Sequence, residues 1–220
     1  MNNNYLIRKA SSKDIPFIAK TIVEAEKSMT QTIGLAKLFG ISELELTNYL
    51  TQILEIETDG CEFSLSSFFI AEFDNQAVAA FGGWLEATDK AKSSAFLKSN
   101  LINYVFPKEK TKLSNNIISL FAEIQIDREL NTYQLEYAFV AEKHRGNRLI
   151  NKIIEEMLNA VKTTNSDLKK SQVQVFANNI SAIKTYQYSE FKIVQQKKSN
   201  NPEIMNYLPY HTKLLMERKL

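Results

Sequence analysis

Thr132-Tyr-Gln-Leu-Glu-Tyr-Ala-Phe-Val140-Ala-Glu-Lys-His-Arg145-Gly-Asn-Arg-Leu-Ile150 opens like a strand, turns on polar and basic residues, and enters a helix. Leu149, Ile150, Ile153, Ile154, Met157, Leu158 and Val161 then recur at intervals of three and four, the signature of a long amphipathic helix. A turn that ends in a helix N-terminus leaves backbone N–H groups without helical partners, and the helix dipole adds partial positive charge there. Such a place favours a phosphate or pyrophosphate. Gly146 supplies a permissive backbone, Asn147 tolerates left-handed angles, and Arg145 and Arg148 flank them. The pattern reads as an anion site, although an ordinary strand-to-helix turn has the same outline.

Downstream, Gln172 to Phe176 alternates as a strand, Asn179 to Ser189 is a short helix, and Phe191 to Gln196 is another strand. A polar loop holding Pro202 and Pro209 leads to a last strand, Thr212 to Glu217. Upstream, Tyr5 to Lys9 reads as a strand, and Ser11 with Asp14 announces a helix from about Lys13 to Lys27. Thr30 to Ile56 is helical with a break near Gly40 and a restart at Ser42, three residues before Glu45. Ser67 to Phe73, the turn Asp74-Asn75, and Ala77 to Leu85 form a hairpin. Thr88 to Tyr104 is helix-like, Pro107 to Asn116 is a lysine-rich loop, and Ile117 to Ile126 looks like a further strand. The expected fold is α/β (α+β): a mixed, mostly antiparallel sheet of about seven strands flanked by helices. No repeat or linker divides it, so residues 1–220 are expected to form one domain.

With 44% apolar residues the chain can bury a core, and a net charge of +2 argues against large-scale disorder. The 27 basic residues are interspersed with 25 acidic ones rather than gathered on one stripe, which speaks against a nucleic-acid partner. Lys108, Lys110 and Lys112 read as a solvated loop. One cysteine, Cys61, forms no internal disulfide and fits a reducing compartment. Met1 to Tyr5 has no leader-like pattern, and no apolar run approaches the ~18 residues a membrane span needs. A cytoplasmic protein with no membrane partner is expected. His144, His211 and Cys61 have no metal-ligand spacing, so no metal is expected.

Val140-Ala-Glu-Lys-His-Arg145-Gly-Asn-Arg-Leu-Ile150 resembles the cofactor-binding motif of the GNAT acetyltransferase superfamily, in which a strand ending in Val leads to an Arg-Gly-x-Gly-x-Gly-like turn and a helix. Asn179-Ile-Ser-Ala182-Ile-Lys-Thr-Tyr186-Gln-Tyr-Ser-Glu-Phe191 is similar to that family's Asn-x-x-Ala-x-x-x-Tyr-x-x-x-Gly-Phe pattern. Arg148 and Ile150 stand where the family has its two later glycines, and Glu190 stands where it has the glycine before Phe. The resemblance implies a sheet splayed between the strands of Thr132 to Val140 and Gln172 to Phe176, with acetyl-CoA as cosubstrate. It implies cofactor contacts at Phe139, Val140, Arg145, Gly146, Asn147, Arg148, Leu149, Ile150 and Asn179.

Direct transfer of acetyl to the amine of a small molecule, amino acid or peptide follows from the same resemblance. Tyr186 occupies the general-acid position for the departing thiolate, and the competing reading is an ordinary helix aromatic packed on the sheet. Glu136 is a charged residue inside an apolar strand, a placement that needs a reason. It reads as the general base, or as an exposed position or the partner of a lysine. Trp84 and Glu86 read as acceptor-pocket lining or, for Trp84, as core or rim packing. Leu35, Leu38, Phe39, Leu44, Leu46 and Leu50 suit an acceptor cap, a homodimer contact or simple core filling. The missing glycines keep open a second reading, a GNAT-like acyl-CoA-binding module without catalysis.

Overall fold

The computed structural model describes residues 5–87 and 93–220. The chain opens with β1 (Leu6–Lys9), then α1 (Ile15–Lys27), α2 (Gly34–Phe39) and α3 (Glu43–Glu55). Next come the hairpin β2 (Phe68–Phe73) and β3 (Gln76–Leu85), then α4 (Ser94–Val105) and α5 (Asn115–Ala122). The second half runs β4 (Tyr133–Val140), α6 (Leu149–Thr164), β5 (Lys170–Phe176), α7 (Ile180–Tyr188), β6 (Lys192–Lys198) and β7 (Thr212–Lys219). The seven strands make one sheet in the order β1-β2-β3-β4-β5-β7-β6. Every neighbouring pair is antiparallel except β4 and β5. The expected mixed sheet is therefore present.

Local chemistry starts and stops the helices where the sequence says it should. Ser42 caps α3 through the Glu45 N–H at 3.2 Å, and the Glu45 carboxylate takes the Ser42 N–H at 2.7 Å. Gly40 ends α2 in the left-handed region. Ile18, Ile22, Leu46, Leu50, Ile53 and Phe68 bury one face of the sheet beneath α1 and α3. Phe81, Leu135, Ile153, Ile154, Met157 and Phe191 bury the other face beneath α6 and α7. Leu35, Phe39, Leu46 and Leu50 fill core, whereas Leu44 is exposed.

One element differs. The run Ile117 to Ile126, expected as a strand, holds helix α5 instead, capped by Ser114 through the Ile117 N–H. Leu120 and Ile124 are buried four residues apart, a helical spacing, and pack with Ile204 and Leu208. An apolar run of this length satisfies both periods, and the serine cap and this small cluster decide it. Of the expected helix Thr88 to Tyr104, residues 88–92 lie outside the described residues, and the rest is α4. Among the described residues no helix is long and apolar enough to cross a membrane.

The parallel contact between β4 and β5 positions the site. Pairing covers only Tyr133 with Ser171, Gln134 with Gln172, and Leu135 with Val173. A clamp holds that end: Gln134 Nε2 donates to Gln172 Oε1 at 3.0 Å, and Ser171 Oγ donates to the Tyr133 carbonyl at 2.8 Å. Beyond Leu135 the two strands continue without pairing each other. On its other side β4 carries a bulge, with the register to β3 shifting between Ala80 and Gly82 and Tyr137 at φ 61°. The bulge bends β4 away from β5 and opens the sheet into a wedge.

Candidate active site

A cavity of about 750 Å³ occupies the wedge and extends to both faces of the sheet. Phe139, Val140, Arg145, Gly146, Asn147, Arg148, Leu149, Ile150, Asn179, Tyr186 and Glu136 all line it, so one space collects the catalytic and cofactor-binding candidates read from the sequence. Among the described residues, the backbone N–H groups from Asn147 through Asn151 meet no acceptor, and no side chain caps α6. Asn147 Nδ2 ties the turn to the His144 carbonyl at 3.0 Å. Gly146 sits at φ 83°, and a Cβ built there would meet nothing within 4 Å. The glycine is thus needed for its angle, while the space above it is free.

Arg148 has φ 54° and ψ 35°, the left-handed region its side chain disfavours. Its guanidinium lies 4.3 Å over the Tyr188 ring and donates to the Tyr188 hydroxyl. The charge is therefore drawn toward α7. Arg145 Nε donates to the Val140 carbonyl at 3.3 Å. Asn179 caps α7, accepting the Ala182 N–H at 3.1 Å. Ile150 is buried in the core beneath α6, so its contribution to the turn is its N–H group. Phe139 packs 6.0 Å from Phe17, ring centre to ring centre.

Tyr186 packs on the sheet as a helix aromatic and also lines the cavity. Its ring stacks on Phe81 at 5.9 Å and packs against Phe191. Its hydroxyl has no hydrogen-bond partner among the described residues, and burial pushes the phenol above its ordinary value. It therefore holds its proton at neutral pH. Glu136 is paired with Arg128, not with a lysine.

Five neighbours absent from the sequence reading complete the site. Fully buried Glu62 takes Lys98 at 2.9 Å and Arg128 at 3.1 Å on one oxygen. Burial pulls that carboxylate upward, and Arg128 and Lys98 overcome it and hold it at about 2. Glu26, on α1, accepts the Tyr137 hydroxyl at 3.2 Å and the Leu35 N–H at 3.0 Å, and burial raises it above the ordinary carboxylate range. Lys213, on β7, lies 5.3 Å over the Phe176 ring. In the sequence these are scattered charges on helices, loops and a strand, and only the fold brings them together. Trp84 and Glu86 do not line the cavity. Trp84 packs under Arg128 at 4.9 Å and donates to Glu86 at 3.1 Å, while Glu86 also takes the Ser94 N–H at 2.9 Å. Among the described residues no group of three or more His, Cys, Asp or Glu gathers as a metal site would require.

No protein-family model and no curated protein matches the chain. Solved structures do. A crystal structure of an acetyltransferase covers 97% of this chain and 98% of its own, with TM-score 0.65 and 19% identity. An N-acetyltransferase from Staphylococcus aureus Mu50 covers 97% and 100%, with TM-score 0.61 and 15% identity. A GNAT superfamily phosphinothricin acetyltransferase from Sinorhizobium meliloti, in complex with acetyl-CoA, covers 98% and 88%, with TM-score 0.53 and 10% identity. At these identities the likeness is one of architecture, and with the parted β4 and β5 and the uncapped turn at Gly146 it makes this chain's fold that of the GNAT acetyltransferases.

Proposed function

We propose that the chain is an N-acetyltransferase that moves an acetyl group from acetyl-CoA directly to the amine of a small molecule or peptide. The observation that carries this reading is one continuous cavity joining the bare N–H groups of α6, the unpaired edges of β4 and β5, and the free hydroxyl of Tyr186. The donor set fits the cosubstrate. Uncapped N–H groups at a helix N-terminus suit a diphosphate. An amide-bearing arm can pair with strand edges that lack neighbours. Gly146 leaves room above the turn.

Acetyl-CoA supplies the activated acetyl group as a thioester. The chain's residues bind it, orient the amine, and move two protons. The carbon–sulfur bond breaks, a carbon–nitrogen bond forms, the nitrogen gives up one proton and the sulfur gains one. Backbone N–H groups on β4 near Phe139 and Val140, which line the cavity, are assigned the stabilisation of the oxyanion. Tyr186 gives its proton to the departing sulfur, because a buried phenol is still protonated at working pH. Glu136 receives the amine's proton, assisted by Glu26 beside it in the cavity.

The test is affinity for CoA and acetyl-CoA by calorimetry, together with thiol release from acetyl-CoA over a panel of amines. Binding of the thioester with amine-dependent thiol release supports the enzyme. Binding without release on any amine leaves a binding module, and no binding removes both readings.

A further inference from the structure

Three cations reach the acceptor side of the cavity, and two already have partners. Lys98 pairs with Glu62, and Arg128 pairs with Glu62 and Glu136. Lys213 differs. Among the described residues no carboxylate or carbonyl reaches its ammonium, and only the Phe176 ring lies beneath it. Phe176 is its direct neighbour across the β5–β7 ladder, so the two side chains share a face of the sheet. That face is the one where Phe176 packs with Leu120, Ile124 and Leu208, whereas Val175 and Leu214, the alternating positions, face α6. Lys213 therefore stands on the acceptor side of the sheet, opposite the face that α6 covers.

An ammonium drawn into a half-enclosed cavity without an anion is costly, and a ligand anion removes that cost. Burial holds the Lys213 amine below its ordinary value. The ring beneath one side of the ammonium leaves its donors for a ligand. The opposite sign is supplied by Glu26, which pairs with no cation among the described residues, and by Glu136, which an incoming amine would share with Arg128. Resting on the acetyltransferase reading, we infer that the acceptor carries a carboxylate as well as its amine, with the carboxylate on Lys213 and the amine directed to Glu136 and Glu26. The acceptor class is an amino acid or a compound with the same pair of groups.

The experiment uses the full chain, acetyl-CoA, and matched pairs of acceptors: amino acids against their carboxamides, which keep the amine and stem but lose the negative charge. Thiol release gives kcat/KM, and calorimetry with CoA bound gives acceptor affinity without turnover. The acids should exceed the amides by about tenfold to a hundredfold, as expected for a charge-assisted contact. Lys213→Met should erase that difference mainly through KM, leave the amides within about twofold, and leave CoA affinity unchanged. Lys213→Arg should restore part of the preference. Equal use of acids and amides, or an equal loss on both in Lys213→Met, overturns the inference while the acetyltransferase reading stands. A loss of CoA affinity in Lys213→Met overturns it too, by placing the lysine on the cosubstrate. Failure of every amine to release thiol or to bind overturns the activity and the acceptor class together.

Discussion

Glu190 and Arg148 stand where the GNAT pattern has glycine, and both carry a glycine's conformation, with φ 65° and 54°. The backbone kept its path while the side chain changed, so the departure from the motif is a local strain and not a different turn. Glu190 is mostly exposed, and its carboxylate lies 3.7 Å from Arg218, a surface pair of little worth. Glu190→Gly should therefore stabilise the fold by roughly 0.5–1 kcal/mol, the left-handed relief less the flexibility glycine adds to the unfolded chain. Thermal unfolding should show a midpoint about 1–4 °C higher; a lower one would place the strain elsewhere. Tyr186→Phe removes only a hydroxyl without a partner, so unfolding should be unchanged while kcat falls about a hundredfold or more. Unchanged turnover removes the acid role and leaves Tyr186 as packing. Glu136→Gln should lower kcat about a hundredfold. If Glu136→Gln keeps its rate and Glu26→Gln loses it, the proton goes to Glu26 alone, the carboxylate that burial raises above its ordinary value.

At the scale of elements, what was legible was what depends on neighbours in sequence. The amphipathic repeat from Leu149, the Ser42–Glu45 box and the Asp74-Asn75 hairpin all hold because their partners lie within a few residues. Ile117 to Ile126 was not legible as a helix, because its apolar spacing fits two periods and the deciding contacts, Ile204 and Leu208, come from about eighty residues away. The polar turn before α6 was legible and the charged cluster on the opposite face was not, for the same reason. Residues 145–150 are contiguous, whereas Glu26, Glu62, Lys98, Arg128 and Lys213 come from five separate segments. The turn itself makes a prediction. Gly146→Ala puts a Cβ on a residue at φ 83° with open space around it, so the penalty is conformational and not steric. It should lower stability by about 1–2 kcal/mol and the melting midpoint by about 2–8 °C. Calorimetry should also find weaker CoA binding, as the turn shifts to relieve the angle. Full affinity with full stability would mean the turn has another low-energy path.

For the molecule as a whole, an ion cluster centred on buried Glu62 stands beside the wedge in the sheet. Glu62 has no exposed surface, and Lys98 from α4 and Arg128 from the segment before β4 both converge on its Oε1. Arg128 then reaches across to Glu136 on β4. The cluster thereby links α4, β4 and the segment carrying Glu62 beside the opening, where sheet hydrogen bonds stop. Glu62 is held at about 2 against an ordinary 4.5, so its folded form binds fewer protons than its unfolded form between those values. Stability from this carboxylate is complete above about 4.5 and is lost as pH falls toward 2. Glu26 has the opposite sign: its raised value makes the fold favour the protonated form, so its contribution falls as pH rises past the ordinary range. The two groups act in different windows, which lets thermal unfolding at a series of pH values separate them. Glu62→Gln leaves half-buried Lys98 without its partner, and breaking a pair whose carboxylate is fully buried costs about 3–5 kcal/mol. At neutral pH the variant should melt on the order of 10 °C below the parent. The gap should narrow steadily below about pH 4.5, because the parent loses there what the variant never had. A gap that stays constant from neutral pH into acid would show that Glu62 supports the site by shape alone, with no part played by its charge.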